Sequence, residues 1–466
     1  MTDLLDQIAA VVGPSRLITG ADVQERAADF MGFARCQAKA VVRPASTAEL
    51  AAVMKLCHAA GQTVVAAGGN TGLVQGQVCT PEDIQISLER MRAIGAIDLV
   101  GRTMIVEAGV PVQAAQEAAE EQGLKFAVDW GARGSATIGG GISTNAGGNS
   151  VVRYGMMRDN VLGLEAVLAD GTIISSMNVL LKNNAAYDLK QLFIGSEGSL
   201  GIVTRAVLKL QPAPLTTQTA MLACTDFAAV QTMFVEMGRK LGPGLTAFEV
   251  MWDNFYEPMI ASGRHTPPVP VGHGCYVIVE MSGTDPDGDP ARFEAVLGEV
   301  IESGVVADAV LAVSSTQADQ IWAIRDDIPG LMTFTMPSVT FDVSLPIKDM
   351  DRYVADVRKA AEAEFGDTLK FVVFGHIGDG NLHILMGAQP FTPETKHKIE
   401  ELVYTPLQAL EGSVSAEHGI GLDKRDWLQL SRSPEEIALM RTLKHALDPK
   451  NILNPGKVLG DGRTAQ

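Results

Sequence analysis

The run Thr63-Val64-Val65-Ala66 passes almost directly into Gly68-Gly69-Asn70-Thr71-Gly72, and this junction constrains the fold more than any other stretch of the chain. The β-branched residues favour a strand. Glycines straight after it let successive backbone N–H groups converge on one point, because no side chain blocks the approach and positive φ costs little. Such a concavity binds anions, typically phosphate. Five residues alone fit a tight, ligand-free turn equally well. A second run decides between the two: Gly131-Ala132-Arg133-Gly134-Ser135-Ala136-Thr137-Ile138-Gly139-Gly140-Gly141, followed by Asn145-Ala146-Gly147-Gly148. Two glycine- and hydroxyl-rich segments in one domain suit a ligand with two phosphates and a long, extended body. The dinucleotide fingerprint G-x-G-x-x-G is not met, since Thr144 stands where its last glycine belongs, and no G-x-x-x-x-G-K-[ST] loop occurs. A Rossmann dehydrogenase and a P-loop nucleotidase are both disfavoured.

Around these loops the chain reads as an α+β protein. Residues 1–40 are expected as a helical lead-in, with Leu4, Leu5, Ile8, Val11 and Val12 near helical spacing. A strand at Ala40-Val41-Val42 is followed by Ser46 and Glu49, an S-x-x-E capping box, and a helix to about Ala60 that Gly61 ends. Another helix near 111–122 stops at Gly123, residues 162–175 form a hairpin turning on Asp170-Gly171, and an apolar strand covers Leu200–Leu210. Gln211-Pro212-Ala213-Pro214 marks a domain boundary, so 41–212 is one domain and 213–415 a second. In the latter, helices around 226–240 and 287–303 alternate with β-like runs at 275–281 and 308–313. Residues 416–466 form a helical closing segment.

Composition excludes several classes. Thirty-seven Lys and Arg against 55 Asp and Glu leave a net charge of −18, the wrong sign for nucleic acid, whose phosphates need clustered cations. No apolar run reaches the roughly 18 residues of a membrane span, and the first residues show no basic region before an apolar core. Cys36, Cys57, Cys79, Cys224 and Cys275 are scattered and odd in number, a poor disulfide framework and a poor zinc-thiolate site. Reduced thiols in a cytoplasmic protein are the expectation.

Three of the eight histidines lie in two compact motifs. Phe371–Leu385 reads as strand, glycine-rich turn, strand, and folding at Gly378–Asn381 sets His376 and His383 side by side within reach of one metal ion. Ser415-Ala416-Glu417-His418-Gly419-Ile420-Gly421 adds a carboxylate and another imidazole. A single histidine is more often a satisfied core or surface residue, but two flanking G-D-G-N is a rarer arrangement. Two His and one Glu with open positions is a common catalytic set for Zn2+ or a similar divalent ion.

Taken together, G-G-N-T-G, I-G-G…N-A-G-G, Gly195-Ser196-Glu197-Gly198-Ser199-Leu200-Gly201-Ile202-Val203, G-H-x-G-D-G-N-x-H, E-H-G-x-G and the terminal L-N-P-G-K resemble the flavoprotein family of vanillyl-alcohol oxidase type. More closely, they resemble its D-lactate and D-2-hydroxyglutarate dehydrogenase branch, which includes the flavin subunit of glycolate oxidase. The motifs keep the family's order from about residue 41 to 457. The resemblance implies an α+β fold, with a two-part FAD-binding domain of vanillyl-alcohol oxidase type and an α+β cap domain whose junction carries the active site. It implies FAD held by Gly68, Gly69, Asn70, Thr71, Gly72 and Leu73, and by Ser135, Thr137, Ile138, Gly139, Gly140, Asn145, Gly147 and Gly148. Gly198, Ile202 and Val203 would lie on the adenine side, and Asn454 in the closing segment would return to the flavin. Asn70 stands where relatives with a histidyl-linked flavin carry His, so the FAD is expected to be non-covalent. His376, His383 and Glu417 are implied as ligands of a divalent metal, Zn2+ first, His418 as the base, and Arg325 as the arginine for the substrate carboxylate.

On the substrate side the chain departs from the hydroxyglutarate enzymes. They typically carry Thr four residues after the arginine, Lys two before the next strand's Asp, and Asn two after the second metal His. Here these places hold Pro329, Thr340 and Leu385. A second carboxylate would lose part of its partners, and a charge left unpaired in a pocket is costly. The expectation is therefore a D-2-hydroxy-acid dehydrogenase for a D-lactate-like monoacid, passing hydride to FAD. The alternatives are a D-2-hydroxyglutarate dehydrogenase, a metal-free flavin oxidase of alcohols or phenols, and a flavin subunit of a larger redox assembly. No iron–sulfur cysteine spacing is present, so electrons are expected to leave for a separate acceptor: an electron-transfer flavoprotein, a cytochrome or a quinone. The partners are thus a small 2-hydroxy acid and that acceptor, with no nucleic acid and no membrane span, and a homodimer is one assembly the sequence allows.

Overall fold

A computed structural model of the protein describes residues 3–30, 32 and 34–460. The chain divides into two compact units: Met1–Gly147 with Gly155–Ala213 and Glu417–Gln466, and Gly148–Tyr154 with Pro214–Ala416.

The first unit holds a four-stranded and a five-stranded sheet. In the four-stranded sheet, Ala40–Val42 and Val64–Ala67 both run parallel to Ile84–Ser87 between them, as a strand–helix–strand unit requires. The connecting helix Thr47–Ala60 is specified locally at both ends. The Ser46 hydroxyl accepts the Glu49 N–H, and Gly61 takes a left-handed φ of 66° and returns its N–H to the last turn. The Glu49 carboxylate takes the Ala45 N–H and the Arg16 guanidinium, so it ties the helix start to the lead-in. That lead-in is not purely helical. After the helix Leu4–Val12, Leu17–Thr19 forms an edge strand antiparallel to Ala40–Val42. A three-residue run has no period to read, and only the sheet beside it makes it a strand.

The five-stranded sheet is antiparallel, and Val161–Val167 and Ile173–Ser176 form the expected hairpin. Its central strand Ile202–Lys209 is flanked by Thr103–Glu107 and Val161–Val167. Ile202, Val203, Ala206 and Leu208 pack with Met104, Val106, Leu164 and Ala166 in the core. The closing segment is pinned to the glycine-loop strand: Val64 donates to Ile452 O at 2.7 Å and Asn454 N–H to Val64 O at 2.8 Å.

The second unit is built on one seven-stranded antiparallel sheet in which Cys275–Gly283, Leu245–Trp252, Lys370–His376, Asn381–Gly387 and Val339–Ser344 are successive neighbours. Phe227–Leu241 and Gly288–Glu302 form amphipathic helices, with Phe227, Val230, Met233, Met237, Phe293, Val296 and Val300 turned inward. No helix among the described residues is long and apolar enough to cross a membrane.

Candidate active site

In the first unit the two glycine segments meet backbone to backbone. A Cβ on Gly69 would sit 1.9 Å from the Ser135 carbonyl oxygen, and one on Gly68 would sit 2.6 Å from the Thr137 hydroxyl. That hydroxyl caps the helix Ile138–Thr144 by accepting the Gly140 N–H at 3.3 Å. Gly139 lies against Ala108, donating to its carbonyl at 2.7 Å. Asn145 ends the helix in the left-handed region, and its Oδ1 accepts the Arg158 N–H. Thr71, Gly72 and Leu73 continue the first loop, with Leu73 the most exposed of them. Gly147 closes the stretch counted with this unit, whereas Gly148 opens the short stretch counted with the second.

Asn70 adopts φ 59°. Its side chain donates to Ala27 O and Asp29 O and accepts from Gln77 Nε2 at 2.6 Å. This asparagine therefore fastens the lead-in to the loop through its side chain and leaves the loop's backbone for a ligand. Gly198 has φ 73°, and a Cβ there would lie 3.0 Å from Asn454 Nδ2. Asn454 accepts the Ala66 N–H at 2.9 Å and donates to Glu197 O at 2.6 Å. It thereby locks the strand before the first glycine loop to the Gly195–Gly201 segment. The Ile202 and Val203 side chains are core residues, so any ligand contact there falls to their backbone. This cradle, in which a Cβ at Gly68 or Gly69 would clash, fits the slender pyrophosphate and extended body of FAD.

Glu197 supplies a second anchor in the same unit. Its carboxylate accepts the Ile420 and Gly421 N–H groups at 2.6 and 2.8 Å. Burial pushes its pKa up, against the two N–H bonds that lower it. These bonds fix the backbone immediately after Glu417 and His418, whose carboxylate oxygen and ring nitrogen lie within 4.8 Å of one another.

The second unit carries the histidine hairpin. Lys370–His376 and Asn381–Gly387 pair antiparallel, with Phe374 opposite His383. The His376 and His383 rings stand 5.1 Å apart at 82°. On its other side His383 faces Asp342 in the ladder, and ligand atoms of these two lie within 4.8 Å. Asp342 Oδ2 also takes the Ser415 hydroxyl at 3.3 Å and the Ala416 N–H at 3.1 Å. Glu417 is covalently next to Ala416, so Asp342 anchors the chain one residue before the expected ligand. Asn381 Oδ1 is buried with no hydrogen-bond partner. The Asp342 and His383 donors fit a zinc-like divalent ion; the expected ligand His376 does not join them, since its Nδ1 faces Glu249 and its Nε2 faces Arg325.

Arg325, near the end of the helix Ser315–Asp326, is only 8% exposed. Its Nε donates to Glu249 Oε2 at 3.1 Å, and its Nη2 lies 3.2 Å from His376 Nε2. Nη1 reaches Asp326 at 3.3 Å. Glu249 further accepts from His376 Nδ1 at 2.6 Å. Burial drives the Glu249 pKa up, but His376 and Arg325 outweigh it and hold the carboxyl below the usual range. Sequence reasoning passed over Glu249, although a signal was there: it is the single acid in the strand Leu245–Trp252, buried along its whole length, and a buried carboxylate needs partners.

Comparison with known proteins bears on the family. The family described as "FAD binding domain" matches residues 38–176, and that described as "FAD linked oxidases, C-terminal domain" matches 213–458. Among curated proteins, the chain is 38% identical over 465 residues to the mitochondrial D-2-hydroxyglutarate dehydrogenase of Bos taurus, covering 97% of this chain and 83% of that one. It is 39% identical over 424 residues to a D-2-hydroxyglutarate dehydrogenase of Xanthomonas citri, covering 90% and 89%. Among solved structures, p-cresol methylhydroxylase superposes with a TM-score of 0.77 at 15% identity, covering 98% of this chain and 96% of that one. Alkyldihydroxyacetonephosphate synthase gives 0.74 at 18%, covering 97% and 84%. At such identities the likeness is one of fold, the α+β flavoprotein architecture of vanillyl-alcohol oxidase type.

The expected cytoplasmic location is corrected by the same comparison, since the cattle, rice and Arabidopsis thaliana relatives are named as mitochondrial. The five cysteines are free and buried, which does not distinguish one compartment from another. With both family matches and relatives at this identity along nearly the whole length, the chain belongs to the FAD-linked oxidases, in the group of the D-2-hydroxyglutarate dehydrogenases.

Proposed function

We propose that the protein oxidises a D-2-hydroxy acid to the 2-oxo acid, with non-covalent FAD and a divalent metal. The observation that carries this reading is the buried group of Arg325, His376 and Glu249 beside the His376–His383 hairpin. An arginine able to grip a carboxylate stands beside a histidine whose hairpin neighbour His383 has a ring nitrogen within 4.8 Å of an Asp342 carboxylate oxygen, and this supports the reading. Bound FAD would accept the hydride from the substrate Cα. A divalent ion, Zn2+ by its donors, would draw in the hydroxyl and a carboxylate oxygen and lower the hydroxyl pKa. His376, His383 and Glu417 would hold that ion, with Asp342 anchoring the residue before Glu417. Arg325 binds the substrate carboxylate in its planar fork, and His418 takes the hydroxyl proton. The loops Gly68–Gly72 and Ser135–Gly140 would hold the pyrophosphate, and Asn454 ties the strand before the first loop to the segment around Gly198.

The preferred substrate is a monocarboxylic D-2-hydroxy acid, D-lactate-like or with a larger apolar tail. Pro329 and Thr340 are exposed and Leu385 is buried in an apolar cluster, so none of the three supplies a charged partner to a second carboxylate. The names of the relatives favour a second reading, D-2-hydroxyglutarate itself. Anaerobic mixing with a panel of hydroxy acids, following the bleaching of the flavin, separates the two. Faster bleaching by D-lactate than by D-2-hydroxyglutarate is expected, and a strong preference for the diacid would overturn the monoacid reading. Turnover should fall on chelation and return with Zn2+; activity indifferent to chelation would point to a metal-free flavin oxidase.

A further inference from the structure

We propose that Glu249 is a positioning residue that sets the tautomer of His376 and the orientation of Arg325 together; the inference rests on the functional reading above and goes beyond it. Arginine only donates hydrogen bonds. At 3.2 Å from Arg325 Nη2, His376 Nε2 must therefore accept. The ring's proton then sits on Nδ1, where Glu249 Oε1 receives it at 2.6 Å. The other oxygen of the same carboxylate holds Arg325 Nε at 3.1 Å. One buried group, 1% exposed along its side chain, thus fixes both ends of the arrangement. It keeps the proton off Nε2, whose lone pair here accepts from Arg325, and sets the plane of the guanidinium that would meet the substrate; a divalent ion on Nε2 would replace that Arg325 contact. A carboxylate behind a ligand histidine is a known way to fix its ring and raise its basicity.

The strand pairing supports the same role. Glu249 stands opposite His376 in the antiparallel ladder, with Val250 opposite Gly375. A Cβ on Gly375 would lie 2.4 Å from the Asn381 carbonyl oxygen, so the backbone just before His376 is tightly packed against the facing strand. Phe374 lies under Arg325, 5.1 Å from its guanidinium carbon, and restrains the arginine from the apolar side. Glutamine in place of Glu249 would turn an N–H2 donor toward one of two donors, so one of the two contacts must break. Aspartate is a methylene shorter and cannot span both.

Histidine-ring 15N NMR on the holoenzyme tests the tautomer, with the His376 signal assigned by its loss in His376→Gln. Glu249→Gln is compared with Glu280→Gln, a change at another acid of the same sheet that bonds Thr246 and Trp322 instead. The wild type should show the Nδ1–H form, retained in Glu280→Gln and lost or mixed in Glu249→Gln. Affinity for Zn2+, measured by competition with a chelator, should fall about 10- to 100-fold in Glu249→Gln, and kcat/KM for the hydroxy acid about 100-fold, with FAD content unchanged. An Nε2–H tautomer in the wild type would overturn the proposal, as would equal losses in the two variants or normal metal affinity and turnover in Glu249→Gln. A wild type that oxidises no hydroxy acid would instead sink the functional reading, while the tautomer and metal measurements still decide the role of Glu249.

Discussion

Substituting Gly69 by alanine should weaken flavin binding far more than its size suggests. The added Cβ would lie 1.9 Å from Ser135 O, 2.7 Å from Ser135 C and 3.0 Å from Ala136 Cα. All three are backbone atoms, so no rotamer change relieves the clash. Reaching an ordinary separation of about 3.5 Å requires the two glycine segments to part by roughly 1.5 Å, and these are the segments proposed to hold the pyrophosphate. Overpacking of this kind costs about 1–3 kcal/mol, which corresponds to roughly 5- to 150-fold in an equilibrium constant. Gly131→Ala is the matched control: it lies just before the same segment, with nothing within 4 Å of its added Cβ and no positive φ. FAD affinity of the apoprotein, followed by quenching of flavin fluorescence, should fall by that factor in Gly69→Ala and stay within about twofold in Gly131→Ala. A folded Gly69→Ala protein with wild-type affinity, or an equal loss in both variants, would refute the reading of this apposition as the cofactor's floor.

Arg325→Lys keeps the charge but not the planar fork. It should lower kcat/KM for the hydroxy acid about 100-fold, chiefly through KM, and an unchanged KM would remove Arg325 from substrate binding. Glu197→Ala deprives the Ile420 and Gly421 N–H groups of their acceptor. It should cost about 2 kcal/mol or more in denaturant unfolding and depress turnover; a variant of wild-type stability would show that these bonds are readily replaced. Asp327 caps the helix Ile328–Thr335 through the Gly330 N–H. The Arg264 hydrogen bond, with help from Gly330 and His265, holds its carboxyl well below the usual carboxylate range. A depressed folded pKa contributes stability that is present above the unfolded value of about 3.9 and is lost as pH falls through the folded one. Asp327→Asn keeps a good helix cap but loses the ion pair with Arg264, so it should unfold up to about 1 kcal/mol more easily at pH 7, and the difference should shrink in strong acid. A gap independent of pH would contradict that assignment.

Much of this protein was legible in its residues because the features concerned are local. A serine three positions before a glutamate and a glycine after the last turn specify the helix Thr47–Ala60 whatever surrounds it. Glycines where strands end foretell a close backbone approach. The spacing of His376 and His383 around a four-residue turn is enough to bring their rings together, since hairpin register follows from turn length. The order of the glycine, histidine and L-N-P-G-K motifs carried the family. Tertiary structure alone decided which groups serve these motifs from a distance. Glu249 reaches His376 from 127 residues earlier in the chain, through a ladder in which its strand could have paired with others. Asn70 stands in the expected loop, yet its side chain turns to the lead-in carbonyls at Ala27 and Asp29. Leu17–Thr19 becomes a strand only because Ala40–Val42 offers it an edge. Backbone preferences and short-range spacing are written into a few neighbouring residues. The partner of a buried charge is chosen by the packing of whole sheets, and no window of sequence contains that choice.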